Sequence, residues 1–333
     1  MNLGESLLWP LTLPYGAVVR LKARAYAKGL LRQRSLNGVV ISVGNITTGG
    51  TGKTPMVLWL AERLLAEGKK PGILTRGYRG EISLAGSTSD EVQLLQRRLG
   101  DRVAFGIGAD RFARGSELAT RGIDWFILDD GFQHLQLARD VDIVLIDATN
   151  PFGGGHLLPA GRLREPKSAI SRADIIVITR SRHAPAVEAA IRRESRAPIF
   201  YASVRFDSIT PWHPENAERE ISRSQEQKLF VFCGIGNPSA FVANLREWGF
   251  QIVAERFFPD HHRYTLEDVQ VIESEARLAG ADALICTEKD IFNLANAPFQ
   301  SFDVSYCRIS LQLDRGEEFW RTITTIAEAR SSK

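Results

Sequence analysis

Cysteine is scarce in this chain of 333 residues: Cys233, Cys286 and Cys307 are odd in number and widely spaced. That pattern suits a reducing compartment and offers neither a disulfide framework nor a zinc site. Acidic residues are missing from one end. None lies between Glu5 and Glu62, whereas Arg20, Lys22, Arg24, Lys28, Arg32, Arg34 and Lys53 all do, so a net charge of only +3 conceals a basic N-terminal region. Long apolar runs are lacking as well. Residues 7–19 are apolar but broken by Pro10 and Pro14, and they fall short of the about 20 residues that span a bilayer. Glu5 precedes this run and the positive charges follow it, the reverse of a signal peptide. No repeat of solenoid period is present. A hydrophobic content of 44% and a charged content of 24% are ordinary for a folded soluble protein, and the length suffices for two domains with ample cores.

An apolar, aromatic segment beside Lys and Arg is what an interfacial anchor on an anionic leaflet requires. Residues 1–35 are therefore expected to be a membrane-associating helical segment; the competing expectation is a helix packed on the protein's own core.

The strongest local signal spans residues 39–65, VVISVGNITTGGTGKTPMVLWLAERLL. Val39 to Val43 suit a buried parallel strand, and Val57, Leu60, Ala61, Leu64 and Leu65 repeat at helical spacing behind Pro55. Gly49, Gly50 and Gly52 between them let backbone N–H groups and the helix N-terminus converge on a phosphate chain. Thr47, Thr48, Gly49, Gly50, Thr51, Gly52, Lys53 and Thr54 are thus the nucleotide-binding candidates, Lys53 reaching the β- and γ-phosphates and the Thr54 hydroxyl taking Mg²⁺. Two departures stand out. The first glycine of G-x-x-x-x-G-K-[ST] is replaced by Thr47, and the extra lysine of positioning-type ATPases is replaced by Thr48.

Strands are expected at 72–75, 102–107, 124–128, 141–146, 175–179 and 198–204, alternating with helices, which predicts a parallel α/β sheet of the P-loop NTPase type. Residues 208–227 carry two prolines and many charges and read as a linker. Strands then resume at 229–233, 252–257, 283–286 and 304–311, giving a second, smaller α/β domain. The domains are drawn at 36–207 and 208–333. Asp129 and Asp130 end an apolar strand, as a Walker B segment delivers a carboxylate to Mg²⁺. TRGYRG presents Arg76, Tyr78 and Arg79, which suit a second phosphate on an acceptor. SDE at 89–91 and GADR at 108–111 read as helix N-caps. Asp260, His261 and His262 follow a strand and suit acid/base work better than metal binding. TEKD at 287–290 is faintly like the base-reading motif of GTPases.

GNITTGGTGKTP, RGYRG, SDE, GADR, LDDGFQHLQLARD, LPAGRLRE, FPDHH and TEKD occur in an order that closely resembles the tetraacyldisaccharide 4'-kinase family, over nearly the whole chain. The resemblance implies a two-domain P-loop kinase at the cytoplasmic face of the bacterial inner membrane, using ATP and Mg²⁺. It implies transfer of the γ-phosphate to the 4'-hydroxyl of an acylated disaccharide 1-phosphate, with no nucleic acid and no obligate protein partner. Carried over by residue, it pairs Asp90 with His261 to activate the hydroxyl and sets Thr54, Asp129, Asp130 and Glu165 around Mg²⁺. Arg111 joins Arg76, Tyr78 and Arg79 on the acceptor side. If Asp90 stood on the first domain and His261 on the second, the pair would be assembled only on domain closure. A GTPase or metallochaperone-like switch and a membrane-positioning ATPase remain as alternatives.

Overall fold

Apolar runs bounded by turn residues form parallel strands buried on both faces. The computed structural model describes residues 3–77, 89–212, 227–294 and 298–331. Among these, 3–77, 98–204 and 311–331 form one unit, and 89–97, 205–212, 227–294 and 298–310 form another.

The first unit opens with α1 (Leu3–Ala27), β1 (Val39–Asn45), α2 (Lys53–Ala66) and β2 (Pro71–Thr75). After α3 (Asp90–Leu99), which begins in the second unit, come β3 (Ala104–Ile107), α4 (Arg111–Thr120), β4 (Trp125–Asp129), β5 (Val141–Asp147), β6 (Ile175–Thr179) and α5 (Pro185–Arg192). β7 (Ile199–Pro211) carries the chain out of this unit. The strand order is β3-β2-β4-β1-β5-β6-β7. β1 pairs in parallel with β4 on one side and β5 on the other, so successive crossovers depart in opposite directions from its carboxyl end. Open α/β sheets bind ligands at such a switch point.

α2 holds its place by burial. Met56, Val57, Leu60 and Leu64 are fully buried, each contributing roughly 1.5–3 kcal/mol. The C-terminal α8 (Gly316–Ser331) also belongs here. Its Phe319 packs edge-on against Trp59 at 5.4 Å and Phe200 at 5.2 Å, and Glu317 holds Arg63 through two hydrogen bonds of 2.7 and 2.8 Å.

The second unit contains β8 (Lys228–Cys233), α6 (Pro238–Glu247), β9 (Gln251–Phe257), α7 (Leu266–Leu278), β10 (Ala283–Thr287) and β11 (Val304–Leu313) up to Ser310. The order is β11-β10-β8-β9, parallel throughout. Alternate residues face opposite cores. Phe230, Phe232, Leu284 and Cys286 meet Ile272 and Ala276 of α7; Leu229, Val231, Cys233 and Ile285 meet Phe241, Val242 and Leu245 of α6. α7 starts on a capping box between Thr265 and Asp268.

The units differ from the expected boundaries at 36–207 and 208–333. Residues 311–331 return to the first unit because α8 supplies its aromatic cover, and residues 89–97 join the second. Of the expected linker, Ser208 to Pro211 continue β7, and 213–226 lie outside the described residues. Pro10 and Pro14 do not divide the N-terminal segment, which is one helix. Tyr15 donates from its hydroxyl to the Arg164 carbonyl at 2.9 Å, and Gly16 is buried against Leu157. Leu8, Trp9, Leu11, Leu13, Val18 and Leu21 remain exposed. Among the described residues no helix is long and apolar enough to cross a membrane.

Candidate active site

The loop between β1 and α2 is fixed by its carbonyls and by one side chain. Arg180 donates to the Gly50 carbonyl at 2.6 Å, Thr179 donates to that of Thr51 at 3.0 Å, and Asn45 donates to the Thr51 hydroxyl at 2.9 Å. Gly52, with φ of 90°, caps α2 in a left-handed conformation that favours glycine. Thr47 stands where a glycine is usual because it is buried and forms an antiparallel bridge with Leu163. The bridge extends on either side, from the Thr48 amide to the Arg162 carbonyl at 2.7 Å and from the Arg164 amide to the Ile46 carbonyl at 2.7 Å. LPAGRLRE is therefore strapped to the phosphate loop, a role its sequence did not disclose.

Strapping brings Arg164 to Asp130, with contacts of 2.8 and 2.9 Å, while Lys53 lies 3.5 Å from the same carboxylate. Asp130 has φ of 49°, left-handed for a residue with a side chain. Burial raises its pKa, but Lys53 and Arg164 outweigh it and hold the carboxyl below the usual range. Asp129 is buried and accepts from the Thr75 hydroxyl at 3.2 Å. Glu165 is committed elsewhere. Its oxygens accept from Arg172 at 2.8 and 3.1 Å and from Gln133 at 3.0 Å. Among the described residues no three His, Cys, Asp or Glu side chains gather as a metal-binding group.

Arg111, the first residue of α4, is buried, and its Nε has no hydrogen-bond partner among the described residues. Burial and then Arg76 push its pKa down, against support from Asp129 and Asp130. His134, from the same DDGFQH segment, is pushed down to about 4 by burial and by Arg111, Arg139 and Lys22, so it is neutral at pH 7. The arginines here, with Lys53 and Arg164, make a positive surround for the aspartates. Arg76 and Arg111 belong to it; Tyr78 and Arg79 lie outside the described residues.

The second unit holds the other predicted pair complete. Asp90 opens α3 and faces His261 Nδ1 at 2.8 and 3.0 Å. Both residues belong to this one unit, so the expectation that the pair needs domain closure to assemble is corrected. Facing a carboxylate, Nδ1 carries the proton and donates it. The Asp90 hydrogen bond raises the His261 pKa against burial. Burial opposes ionisation of Asp90, yet His261 and Lys289 bring its pKa below the ordinary value. Lys289 Nζ donates to Glu91 at 2.7 Å.

The neighbouring motifs prove structural. His262 bonds Asp268 at 3.0 Å and stacks on Phe258 at 4.7 Å, apart from the Asp90 contact of His261. Asp290 of TEKD is 1% exposed and accepts from Gly234, Tyr264 and Thr287, which leaves it unable to read a base. Sequence reasoning missed Arg164, Gln133, Arg172, Arg180 and Lys289. Arg164 and Lys289 adjoin acids and Arg180 follows the end of β6, whereas nothing in the sequence marks Gln133 or Arg172.

A family model described as tetraacyldisaccharide-1-P 4'-kinase matches residues 4–328. A tetraacyldisaccharide 4'-kinase of Geobacter metallireducens is 42% identical over 307 residues, covering 87% of this chain and 88% of that protein. One from Anaeromyxobacter sp. is 38% identical, covering 95% and 90%. A solved structure of LpxK from Aquifex aeolicus in complex with ATP superposes with a TM-score of 0.71 at 29% identity, covering 97% of this chain and 99% of that one.

Proposed function

Since the chain belongs to the tetraacyldisaccharide-1-P 4'-kinase family, we propose that it transfers the γ-phosphate of ATP to the 4'-hydroxyl of a tetraacyldisaccharide 1-phosphate, forming lipid IVA in lipid A assembly. The observation that carries the reading is the joint presence of a lysine-bearing phosphate loop paired to Asp130 and a separate, hydrogen-bonded Asp90–His261 pair. A sugar hydroxyl is a weak nucleophile. Its transfer needs a positioned base and charge compensation on the migrating group.

In this reading the amides of Gly49 to Thr54 and the N-terminus of α2 hold the phosphates. Lys53 leaves Asp130 for the γ-phosphate as negative charge develops there. The hydroxyl oxygen forms its bond to phosphorus while the bond to the bridging oxygen of ADP breaks. The hydroxyl proton passes into the Asp90–His261 pair. Asp90 alone, with its lowered pKa, is too weak a base, so the competent form pairs ionised Asp90 with neutral His261, wherever the proton finally rests. Arg76 and Arg111 suit the acceptor's phosphate.

The donor set near the loop, the Thr54 hydroxyl and the carboxylates of Asp129 and Asp130, is all oxygen. That suits Mg²⁺, which takes one or two carboxylates and completes its shell with phosphate and water. When bound, the ion neutralises charge on the β- and γ-phosphates. Glu165 contributes by fixing Arg172 and Gln133.

The membrane-facing element in this reading is α1. It rests on the first unit through Tyr15 and Gly16 and turns Leu8, Trp9, Leu11, Leu13, Val18 and Leu21 outward, beside exposed Arg20, Lys22, Arg24, Lys28 and Arg32. Arg34 is separate, paired with Asp110 at 2.7 Å and stacked on Phe112. An acylated acceptor stays in the bilayer, so the enzyme meets it at the cytoplasmic face of the inner membrane. Transfer of labelled γ-phosphate from ATP to a lipid A disaccharide 1-phosphate tests the reading. ATP hydrolysis without a phosphorylated lipid product would overturn it.

A further inference from the structure

The TEKD segment, freed from base reading, has a place in the second unit that its burial alone does not explain. Asp290 Oδ1 accepts from the Gly234 amide at 2.7 Å and from the Tyr264 hydroxyl at 2.7 Å. Its Oδ2 accepts from the Thr287 amide at 3.1 Å and hydroxyl at 2.5 Å. One carboxylate therefore ties the turn after β10 to the turn after β8 and to the loop after β9. His261 sits in that last loop, bracketed by the ties. Its own amide donates to the Gly234 carbonyl at 3.0 Å, and Tyr264, three residues on, carries the other tie. The Gly234 peptide is thus gripped on its N–H by Asp290 and on its carbonyl by His261.

The grip has something to hold. His261 adopts φ of 61°, a left-handed conformation unfavourable for a side-chain-bearing residue unless its surroundings enforce it. There is no slack at Gly234 either: a Cβ there would lie 2.9 Å from the Pro259 carbonyl oxygen and 3.0 Å from His262. The residue next to Asp290 serves the other half of the pair. Lys289 reaches Glu91, whose amide donates to Asp90 at 2.8 Å. A single strand end thus mounts both partners.

We infer that Asp290 is a positioning residue for the transfer reaction: through Gly234 and Tyr264 it fixes the strained backbone of His261 and so sets the hydrogen bond between His261 and Asp90. It touches neither reactant. Only the rate measurements below rest on the kinase reading; the geometry of the pair can be read without it.

The test uses the full chain with Asp290→Asn, which keeps the side chain's shape, and Tyr264→Phe, which removes one donor. His261 is titrated by its imidazole NMR signals, assigned among the six histidines with His261→Gln, and kcat and KM are measured for both substrates. Asp290→Asn is expected to lower kcat by about 10- to 100-fold with the KM for ATP unchanged, because it loosens a base without touching the nucleotide. Tyr264→Phe should lower kcat several-fold. In both, the His261 titration should move down toward its ordinary 6.5 as contact with Asp90 slackens. Thr287→Ser, which keeps the hydroxyl, should behave as wild type. Variants that melt earlier yet retain the wild-type His261 titration and kcat per folded molecule would overturn the inference. Should Asp290→Asn not fold, Tyr264→Phe decides it. If the wild-type protein transfers no phosphate, the kinase reading fails, and the titration alone then decides the inference.

Discussion

The phosphate-loop region and the Asp90–His261 mount hold their charges in opposite ways. In the first unit Lys53 stands 3.5 Å from an Asp130 that is 39% exposed, and Arg111 is buried with an Nε that has no partner among the described residues. In the second unit Asp90 is 5% exposed and 2.8 Å from His261, and the Asp290 behind them accepts four hydrogen bonds. Long, partly solvated ion pairs are weak and exchange easily. Short, buried, fully satisfied ones are not exchanged without large cost. The first region is built to trade its partners for a ligand's, whereas the second is finished before any ligand arrives.

The largest effect should follow from removing the cation that trades partners. Lys53→Ala is expected to cost roughly 10³-fold or more in transfer, since the migrating phosphoryl charge loses its nearest compensation in a dry site. Its folded stability should barely change, because the Asp130 pair it breaks is long and Arg164 remains. Radiolabel transfer together with a thermal melt checks both halves. Near-normal turnover would mean that Lys53 is not the exchanging group.

In the finished region, Asp90→Ala and His261→Ala should each lower kcat by about 10²-fold while ATP binding is little altered. Groups that act as one unit lose activity non-additively, so the double variant should be scarcely worse than either single one. Losses that multiply would show two independent contributions.

Acidity separates stability from activity in the same pair. Asp90 has a lowered pKa, so its stabilisation is present above its ordinary 3.8 and is lost as pH falls through the folded value. His261 has a raised pKa, so its stabilisation is complete below 6.5 and is lost as pH rises through its folded value. These are two ends of one ion pair. Stability from the pair should therefore be greatest between those ordinary values. Activity, which needs neutral His261, should rise along a limb lying above 6.5. Asp90→Asn should bring that limb down, since burial and Lys289, which lower the pKa, are then opposed by Asp260 alone; an unmoved limb in a rate profile would separate it from His261.

Much of this architecture is written locally. Val39 to Val43 and the helical spacing behind Pro55 announce β1 and α2, and the runs at 141–146 and 175–179 announce strands covered on both faces. Lys53, Thr54 and the Asp129–Asp130 step are legible for the same reason, because a phosphate loop and a strand end are short-range patterns. Asp90 and His261 are not. They stand 171 residues apart, and SDE by itself reads as a helix cap, so only the family resemblance joined them. The return of α8 to the first unit was hidden too, since Phe319 finds Trp59 and Phe200 by packing that no local pattern specifies. Thr47 looked like a defect until its bridge to Leu163 gave it a reason.

Smaller effects should come from α1. Changing Arg20, Lys22, Arg24, Lys28 and Arg32 to Gln should weaken binding to anionic vesicles by about 1 kcal/mol for each charge near the surface, and leave binding to neutral vesicles unaffected. Arg34→Gln should contribute little, because that guanidinium is engaged by Asp110 and Phe112. Flotation on vesicles of both compositions checks this, and equal losses on both would place α1 away from the lipid surface.

The smallest effect on rate is expected one residue from one of the largest. His262 adjoins His261 but bonds Asp268 and lies between the Phe258 and Tyr264 rings. Its work is to close the N-terminal turn of α7 and fill an aromatic gap, both of which act on folding. His262→Gln should cost about 1 kcal/mol of stability for the altered hydrogen bond and stacking, while kcat stays within about twofold, because the Gly234 and Tyr264 ties on the loop are untouched. Denaturant midpoints and turnover measured on the same samples separate the two effects. A large loss of kcat at full stability would transfer part of the base function to His262 and undo the contrast between the two histidines.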